Sequence, residues 1–292
     1  MKCDLHVHSY ESGTLPAPIL RHFFRESYSP PSAVYEALRA RGMDLVTLTD
    51  HDSIAGAEEL RQHRDFFVSE EVTCRMPSGT EVHVGVYDIT DRQHCEIILR
   101  RSDLIRLFAY LSEQRLFFTV NHAFSGLTGR RVAEDFEFFA ENCPAVEARN
   151  GHLLPAANRL ATVFARRQRK IQVAGSDAHA LASVGTTYTE VPGARDKDEF
   201  LAGVRAGYGR LCGESGAYWK LTRDILLLCF EMMREDRWTI LLAPLVPLVP
   251  AGVAINYIND LAFARRWGAR TNSFSLSGGI RRTLPVRQKL PA

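Results

Sequence analysis

The sequence lacks the patterns that mark several classes of protein. None of its six cysteines belongs to a Cys-x-x-Cys pair or to a regular spacing. A zinc ribbon or a small disulfide scaffold needs such clustering, so both are disfavoured and we expect idle thiols in a reducing compartment. The chain has no internal repeat and no low-complexity run. With 292 residues, 46% apolar and 24% charged, it has the composition of one large or two small packed domains.

Net charge is nearly absent as well. The 36 Lys and Arg against 34 Asp and Glu give +2, which by itself favours no polyanionic partner. The balance hides an asymmetry, because residues 259–292 contain seven basic residues and one acid. This C-terminal tail is therefore +6, and the remaining residues together are −4.

No secretory signal precedes the first predicted strand. The first four residues, Met-Lys-Cys-Asp, lead directly into alternating apolar residues, without a hydrophobic core or a cleavage site. We therefore expect the N-terminal part of the chain to be cytoplasmic.

Short apolar runs alternate with segments of helical periodicity as far as about residue 213. The first strand is predicted at residues 4–8, others follow at 43–48 and 66–72, and one long helix is predicted at 95–114. Such repeated alternation favours an α/β fold with a parallel sheet and crossover helices, either open or closed into a barrel.

Potential metal ligands lie at or near the ends of several predicted strands. They are His6 and His8, His51 in Thr-Asp-His, Glu71 with His83, His122, and Asp177 with His179. Residues two apart on a strand point to the same face, so each pair can converge. In a closed barrel these strand ends open onto one rim, where barrel enzymes hold their sites. Imidazoles combined with carboxylates suit Zn, Mn or Fe.

This ordered set resembles the PHP (polymerase and histidinol phosphatase) family across residues 1 to about 213. The resemblance implies a distorted seven-stranded, TIM-like β/α barrel that holds two or three divalent ions (Mn, Zn or Fe) and hydrolyses phosphoesters by a metal-bound hydroxide. By motif matching, the ligands are His6, His8, His51, Glu71, His83, His122, Asp177 and His179. Asp177, His179, His6 and His8 are the expected catalytic residues. The likeness is greatest to stand-alone bacterial members with this His-Val-His-Ser opening.

One departure from the family pattern concerns the loop after His8. The family usually supplies another ligand there, often an Asp before a Gly, whereas this chain has Ser-Tyr-Glu-Ser-Gly. Glu11 takes that role if the loop bends inward, and otherwise it is an exposed loop carboxylate. The third metal position is therefore left open. Between Glu70 and Glu71 the motif selects Glu71, since strand alternation lets only one of them face the site.

Other residues are expected around the ligands. Asp4 and Asp50 lie beside ligand histidines, where a carboxylate can fix the tautomer of an imidazole. Arg130, Arg149 and His152, together with Arg131, are candidates for contacting the phosphate of the substrate.

Four functions remain open at this point. The first is hydrolysis of a small phosphate monoester, a nucleotide or a short oligonucleotide, and the alternative is a PHP-type nuclease or exonuclease. The acidic balance before residue 259, without a basic stripe carrying aromatics, argues against long duplex nucleic acid. A non-catalytic, membrane-tethered metal module and an amidohydrolase-like barrel are the other two. No Lys ends a predicted strand, which counts against the last.

The C-terminal part differs in character, so we divide the chain into a PHP domain (1–217), an apolar membrane-associated segment (218–258) and a basic, disordered tail (259–292). Residues 238–258 form a stretch without a charged residue that is long enough for a membrane-crossing helix. Pro244, Pro247 and Pro250 argue against a straight helix. A hydrophobic helix docked on the domain is the alternative. A basic tail is attracted to the anionic inner leaflet. We expect a cytoplasmic catalytic domain held at the cytoplasmic membrane through residues 221–258, by a re-entrant or interfacial segment rather than a crossing.

Overall fold

The computed structural model of the chain describes residues 1–13, 25–126, 128 and 131–271. The strands are β1 (Lys2–Cys3), β2 (Ser69–Arg75), β3 (Glu81–Tyr87), β4 (Phe117–Val120), β5 (Ala145–Asn150), β6 (Ile171–Gly175), β7 (Thr187–Glu190) and β8 (Arg210–Gly213). The helices are α1 (Pro31–Ala40), α2 (Ala55–Leu60), α3 (Asp91–Arg100), α4 (Leu104–Glu113), α5 (Ala133–Asn142), α6 (Pro155–Arg167), α7 (Lys197–Arg205), α8 (Tyr218–Glu235) and α9 (Val249–Thr271). Tyr10–Ser12 and Arg237–Leu248 are 3₁₀ segments. The mixed α/β class predicted from the sequence is confirmed.

The described strands lie in two sheets. Strands β2 to β6 are neighbours in chain order in one sheet, and β1, β7 and β8 form a second, antiparallel sheet. In the larger sheet β4, β5 and β6 are parallel, whereas β2–β3 and β3–β4 are antiparallel. The prediction of a parallel sheet is therefore wrong for its first strands. The turn between β2 and β3 is too short for a crossover, and Gly79 takes a left-handed conformation there (φ 84°).

Isolated main-chain bridges connect segments outside these ladders. Val7 pairs with Ala178, and His51 pairs with Glu71, both in the parallel sense. The first bridge requires a close approach, because a Cβ on Gly175 would lie 2.3 Å from the Cβ of His6. Within the described residues the strands do not form one closed ladder, so the closed seven-stranded barrel stays a prediction.

Several element boundaries differ from the predicted ones. Residues 4–8 and 43–48, predicted as strands, contain only isolated bridges, and the ladder residues of β1 are Lys2 and Cys3. The helix predicted at 95–114 is two helices, α3 and α4. The break arises because the Asp103 side chain accepts the N–H of Arg106 (3.1 Å) and so begins a second helix.

The largest cluster of buried apolar side chains lies between the five-stranded sheet and helices α3 to α6. Val84 and Val120 of the sheet and Phe136 of α5 belong to it. Trp267, near the end of α9, belongs to the same cluster, is 1% exposed and lies with its ring centroid 4.6 Å from that of Phe136. The C-terminal helix is therefore part of the core of the domain.

Docking of Trp267 changes the predicted division of the C-terminal region. Helix α9 continues to Thr271, so residues 259–271 are helical where the sequence predicted a disordered tail. The burial of an apolar face on α9 explains this difference. The rest of the predicted tail, residues 272–292, lies outside the described residues.

The region before α9 is apolar and exposed. Arg237–Ala269 is long and apolar enough to cross a membrane, by length and composition only, and 11% of its most apolar 18-residue window is buried. Leu241 in the 3₁₀ segment is 81% exposed. Pro244 and Pro247 lie inside that segment, and Pro250 lies in the first turn of α9, where its missing N–H breaks no helical hydrogen bond.

Candidate metal centre

The predicted ligands converge at one end of the sheets, and Glu71 lies at their centre. Its Oε2 lies 3.1 Å from Nε2 of His6 and 3.4 Å from Nε2 of both His8 and His51. The strand β2 is fully buried at this point, with Glu71 0% exposed. The bridge of His51 with Glu71 brings the Thr-Asp-His motif beside this strand.

The other carboxylate oxygen of Glu71 faces a different set of side chains. Its Oε1 lies 3.2 Å from Nε2 of His122 and 3.7 Å from Nδ1 of His83, and it accepts a hydrogen bond from Nδ2 of Asn121 (2.9 Å). His83 comes from β3, and His122 follows β4. The two oxygens of one carboxylate are thus aimed at two groups of imidazoles.

Asp177 is the second carboxylate of the cluster. Its Oδ1 lies 3.4 Å from Nε2 of both His6 and His8, and 3.9 Å from Nδ1 of His179. Its Oδ2 accepts a hydrogen bond from Nδ2 of Asn150 at the end of β5 (3.0 Å). His6 and His8 therefore face both Glu71 and Asp177.

The backbone turns sharply where two of these side chains enter the site. His122 (φ 29°) and Asp177 (φ 54°) both have positive φ, which side-chain-bearing residues rarely adopt. Main-chain hydrogen bonds hold the second turn, since the N–H of Asp177 donates to the carbonyl of His6 and the N–H of His8 donates to that of Ala178 (3.1 Å). Strained backbone held by its surroundings is typical of functional sites.

The arrangement fits divalent metal ions. Five groups of three side chains bring ligand atoms within 4.8 Å of one another: His8, His51 and His179; His6, His8 and Asp177; His6, Glu71 and His122; His51, Glu71 and His83; and His152, Asp177 and His179. Among the described residues, His8 Nε2 and His83 Nδ1 are buried without a hydrogen-bond partner. Buried polar atoms are normally satisfied, and imidazoles with carboxylates are the donors that Zn, Mn and Fe accept.

The pKa shifts of the two carboxylates and of His179 suit metal binding, whereas Glu71 and Asp177 raise the pKa of His6 against the effect of burial, so a bound cation would have to displace the proton of that ring. Burial would raise the pKa of Glu71, but the imidazoles of His6, His51 and His83 hold that pKa well below its usual range. Burial would also raise the pKa of Asp177, but the neighbouring imidazoles, chiefly that of His6, hold it well below its usual value. Burial lowers the pKa of His179 to about 3. Ionised carboxylates and neutral imidazoles are the forms that coordinate a cation.

Asp4 and Asp50 do not perform the role predicted for them. Asp4 accepts main-chain N–H groups of His6 (3.2 Å), Ser176 (2.8 Å) and Gly185 (2.8 Å). Asp50 accepts both the N–H and the hydroxyl of Ser9, at 2.6 and 2.7 Å. Among the described residues, both carboxylates therefore bond to segments that carry the candidate ligands, through main-chain N–H groups and the Ser9 hydroxyl, and neither has a hydrogen bond or ion pair with an imidazole.

The carboxylate that orients an imidazole is Glu147, which the sequence analysis missed. Its Oε1 lies 2.8 Å from Nδ1 of His6, and its Oε2 accepts the N–H of His122 (2.9 Å) and Nδ2 of Asn150 (3.0 Å). An acidic residue in the middle of the buried strand β5 was the available signal, since such a residue needs a partner.

A second missed residue is Glu26. Its Oε2 lies 3.4 Å from Nε2 of His51 and 3.9 Å from Nε2 of His179, and within the described part of the chain this oxygen is buried without a hydrogen-bond partner. Burial raises the pKa of Glu26 to about 7. Glu11, the residue considered from the sequence, instead lies in the 3₁₀ turn after His8, where its N–H donates to Ser9 Oγ (3.2 Å). No sequence motif marks Glu26.

Strand alternation separates the two adjacent glutamates of β2 as the motif implied. The carboxylate of Glu71 lies in the cluster, whereas Glu70 points to the opposite face and lies 2.8 Å from Nδ1 of His94.

The candidates for contacting phosphate have different locations. Arg130 lies outside the described residues, and Arg149 donates to the carbonyl of Gly213 on β8 (2.7 Å). Arg131 is buried and donates to the main-chain carbonyls of Glu81 and Ala123. Arg149 and Arg131 therefore donate hydrogen bonds to the backbone of the domain.

His152 is the candidate that the structure brings to the cluster. Its ring is stacked on that of His179 with centroids 6.0 Å apart, and its Nε2 lies 3.3 Å from Oδ2 of Asp224. Asp224 is buried on α8 and also accepts from Ser183 and Arg223. Helix α8 thus contributes to the site, although the sequence analysis assigned it to the membrane-associated segment from its apolar composition.

Residues 155–208 match a family model described as PHP-associated. This segment includes Asp177 and His179. No curated protein matches the chain.

Solved structures share the fold. A two-domain Bacteroides vulgatus protein containing a predicted PHP-like metal-dependent phosphoesterase is 18% identical (TM-score 0.56), over 73% of this chain and 65% of that one. PsfC of Pseudomonas syringae is 17% identical (TM-score 0.52), over 80% of this chain and 98% of that one. The lesion-specific endonuclease PfuEndoQ of Pyrococcus furiosus is 15% identical (TM-score 0.50), over 72% of this chain and 57% of that one. The resemblance to the PHP family seen in the ordered ligand motifs is confirmed by the PHP-associated model over residues 155–208 and by the fold shared with a PHP-like protein.

Proposed function

We propose that this chain is a metal-dependent hydrolase that cleaves a small phosphate monoester, a nucleotide or a short oligonucleotide. The observation that carries the proposal is the convergence of six imidazoles on two ionised carboxylates, Glu71 and Asp177. The PHP-like fold, which the chain has in common with a two-domain protein containing a predicted metal-dependent phosphoesterase, supports the same reaction class.

The proposed centre holds two or three divalent ions (Mn, Zn or Fe). When bound, such ions lower the pKa of water and neutralise charge on phosphoryl oxygens. Glu71 can contribute to two positions at once, because its Oε2 faces His6 and His51 while its Oε1 faces His122. A space beside Asp177 Oδ1 is bordered by His6, His8 and His179. We propose that these four side chains position the reacting phosphoryl group there.

His152 is proposed to contact the phosphate of the substrate. Its support is its place beside Asp177 and His179, with Asp224 fixing the ring through Nε2. The other ring nitrogen is then available to donate to an anionic oxygen. Arg223, half exposed next to Asp224, adds positive charge on this side of the site.

The test is a phosphate-release assay with a panel of phosphate esters, using metal-depleted protein supplied with Mn²⁺. We expect turnover by the wild type, and loss of turnover in His6→Ala and Asp177→Ala. His63→Ala is the matched control, because His63 lies against Tyr35 (ring centroids 4.0 Å apart) and away from the cluster. Full activity in the His6 or Asp177 variant would contradict the proposal.

A nuclease is the second candidate function, and the fold that the chain shares with an endonuclease favours it. The −4 charge of the residues before 259 counts against a long nucleic-acid ligand. Turnover of a nucleoside monophosphate compared with that of single-stranded DNA distinguishes the two, and preferential cleavage of the DNA would favour the nuclease.

We also propose that the cytoplasmic face of a membrane is a partner of the C-terminal region. The support is an exposed apolar 3₁₀ segment, Arg237–Leu248, followed by a helix whose far end is buried through Trp267. Because Trp267 stays in the domain, the apolar segment can lie in the interface without carrying α9 across the bilayer. The basic residues after position 259 favour an anionic lipid surface.

A further inference from the structure

The third metal position is incomplete in the sequence pattern, because no acidic ligand follows His8 at the usual place. We propose that Glu26, 18 residues after His8, supplies that ligand and forms a metal position with His51 and His179. The inference deepens the proposed function, since it rests on the same metal centre.

The geometry around Glu26 defines the position. Its Oε2 lies 3.4 Å from Nε2 of His51 and 3.9 Å from Nε2 of His179. The other ring nitrogens are occupied, since Nδ1 of His51 lies 3.4 Å from Thr73 Oγ1 and Nδ1 of His179 lies 3.0 Å from the carbonyl of Asp177. Both Nε2 atoms therefore border the space beside the Glu26 carboxylate, and that of His51 lies between Glu26 and Glu71, 3.4 Å from an oxygen of each.

Burial supplies an independent observation. The Glu26 side chain is 13% exposed, and its Oε2 has no hydrogen-bond partner among the described residues. A buried carboxylate oxygen without a donor is unfavourable unless a cation lies against it. A cation bound by Glu26, His51 and His179 would satisfy the oxygen and use both ring nitrogens.

Main-chain contacts explain how a residue so far along the chain reaches this place. The N–H of Tyr10 donates to the carbonyl of Ser29 (2.9 Å), and the N–H of Glu26 donates to the carbonyl of Gly13 (3.3 Å). These two hydrogen bonds tie the segment around Glu26 to the turn that follows His8. Arg25 reinforces the attachment by stacking over the ring of Tyr10 (5.4 Å).

The position differs from the rest of the centre in one respect. Glu26 lies within reach of His51 and His179, whereas Glu71 contacts imidazoles through both of its oxygens. This position has one carboxylate of its own and an imidazole, His51, that also faces Glu71, so we expect it to bind its ion more weakly than the positions around Glu71. We therefore expect it to fill last.

The test measures metal stoichiometry and needs no substrate. Metal-depleted full-length protein is equilibrated with Mn²⁺ alone, and bound ion per chain is measured by dialysis and elemental analysis. We expect three ions in the wild type, two in Glu26→Gln and three in Glu11→Gln, the matched control from the turn after His8. Glu26→Asp keeps the carboxylate and should retain the third ion with weaker affinity.

The outcomes separate this inference from the proposed function. Equal Mn²⁺ stoichiometry and affinity in the wild type and Glu26→Gln, or loss of an ion in Glu11→Gln, would overturn the role of Glu26 alone. A wild type that binds three ions and hydrolyses none of the phosphate esters would overturn the proposed function alone. Circular dichroism of the metal-free variants confirms that each has the wild-type fold, and for Glu26→Gln the retained two ions serve as a second check of folding.

Discussion

Glu147 Oε1 lies 2.8 Å from Nδ1 of His6, while Nε2 of the same ring lies 3.1 Å from Glu71. One carboxylate therefore holds the imidazole from behind and leaves its other nitrogen directed at the cluster. Such a partner fixes the tautomer and raises the basicity of a ligating histidine.

Glu147→Gln tests this arrangement. The amide keeps the size of the side chain but removes its charge, so we expect the affinity for Mn²⁺ to fall about 10- to 100-fold. Isothermal titration of metal-depleted protein measures the change. Glu137→Gln, an exposed position on α5, is the control, and an unchanged affinity in Glu147→Gln would contradict the orienting role.

Removing the titration of His179 should alter the acid sensitivity of the metal-free protein. Burial lowers the pKa of His179 to about 3, whereas an unfolded His titrates near 6.5, so between these values the unfolded state binds more protons. The wild type therefore loses the contribution of His179 to stability as the pH falls from about 6.5 towards 3. His179→Gln lacks this loss.

Urea unfolding of both metal-free proteins at pH 7 and pH 5 measures the effect. We expect the free energy of unfolding to fall less in His179→Gln than in the wild type when the pH is lowered from 7 to 5. A constant difference between the two proteins would show that His179 is not held neutral by burial.

Two glycines provide a matched test of packing. Gly175→Ala places a Cβ 2.3 Å from that of His6, so we expect destabilisation of about 1–3 kcal/mol and weaker metal binding. Gly252→Ala in the exposed part of α9 meets nothing within 4 Å and is expected to stabilise by about 0.5–1 kcal/mol, because alanine favours a helix. Thermal unfolding compares the two, and equal effects would contradict the close approach at Gly175.

Membrane binding should depend on the 3₁₀ segment. Leu241 and Leu245 are 81% and 56% exposed, and each leucine moved from water into a bilayer contributes about 1.5–3 kcal/mol. Replacing both with Asn should weaken binding to anionic phosphatidylglycerol vesicles by about 100-fold or more. Leu99→Asn with Ile105→Asn, two exposed positions on α3 and α4, is the control.

Co-sedimentation with vesicles measures this difference. Equal loss of binding in the control pair would contradict a specific surface. Resistance of the bound protein to alkaline extraction would indicate a crossing helix and overturn the interfacial arrangement.

The convergence of the candidate histidines could be predicted from the sequence because their signal is local. His6 and His8, or Asp177 and His179, are two residues apart beside a strand, and that spacing alone determines a shared direction. Glu147 and Glu26 were missed because each is a single carboxylate whose partner is distant in the chain. Tertiary contacts bring them to the site: the pairing of β5 with its neighbours for Glu147, and the hydrogen bonds of Tyr10 to Ser29 and of Glu26 to Gly13 for Glu26.

Composition did not indicate that helix α8 contacts the site. The apolar sequence of α8 predicted a membrane-associated segment, whereas Asp224 of this helix is buried and contacts His152. The strand directions of β2 and β3 were also wrong, because periodicity shows that a segment is extended but not which way its neighbour runs.

The burial of Trp267 against Phe136 has a consequence for how the protein can be divided. A chain shortened at residue 258 would lose the Trp267 ring from the interior of the domain, and deletion of such a ring costs about 3–5 kcal/mol. Unfolding of the sheet and release of the last helix are therefore expected to be one cooperative event. Binding of the apolar segment to a lipid surface would then raise the melting temperature of the whole domain, including the part that carries the candidate metal site.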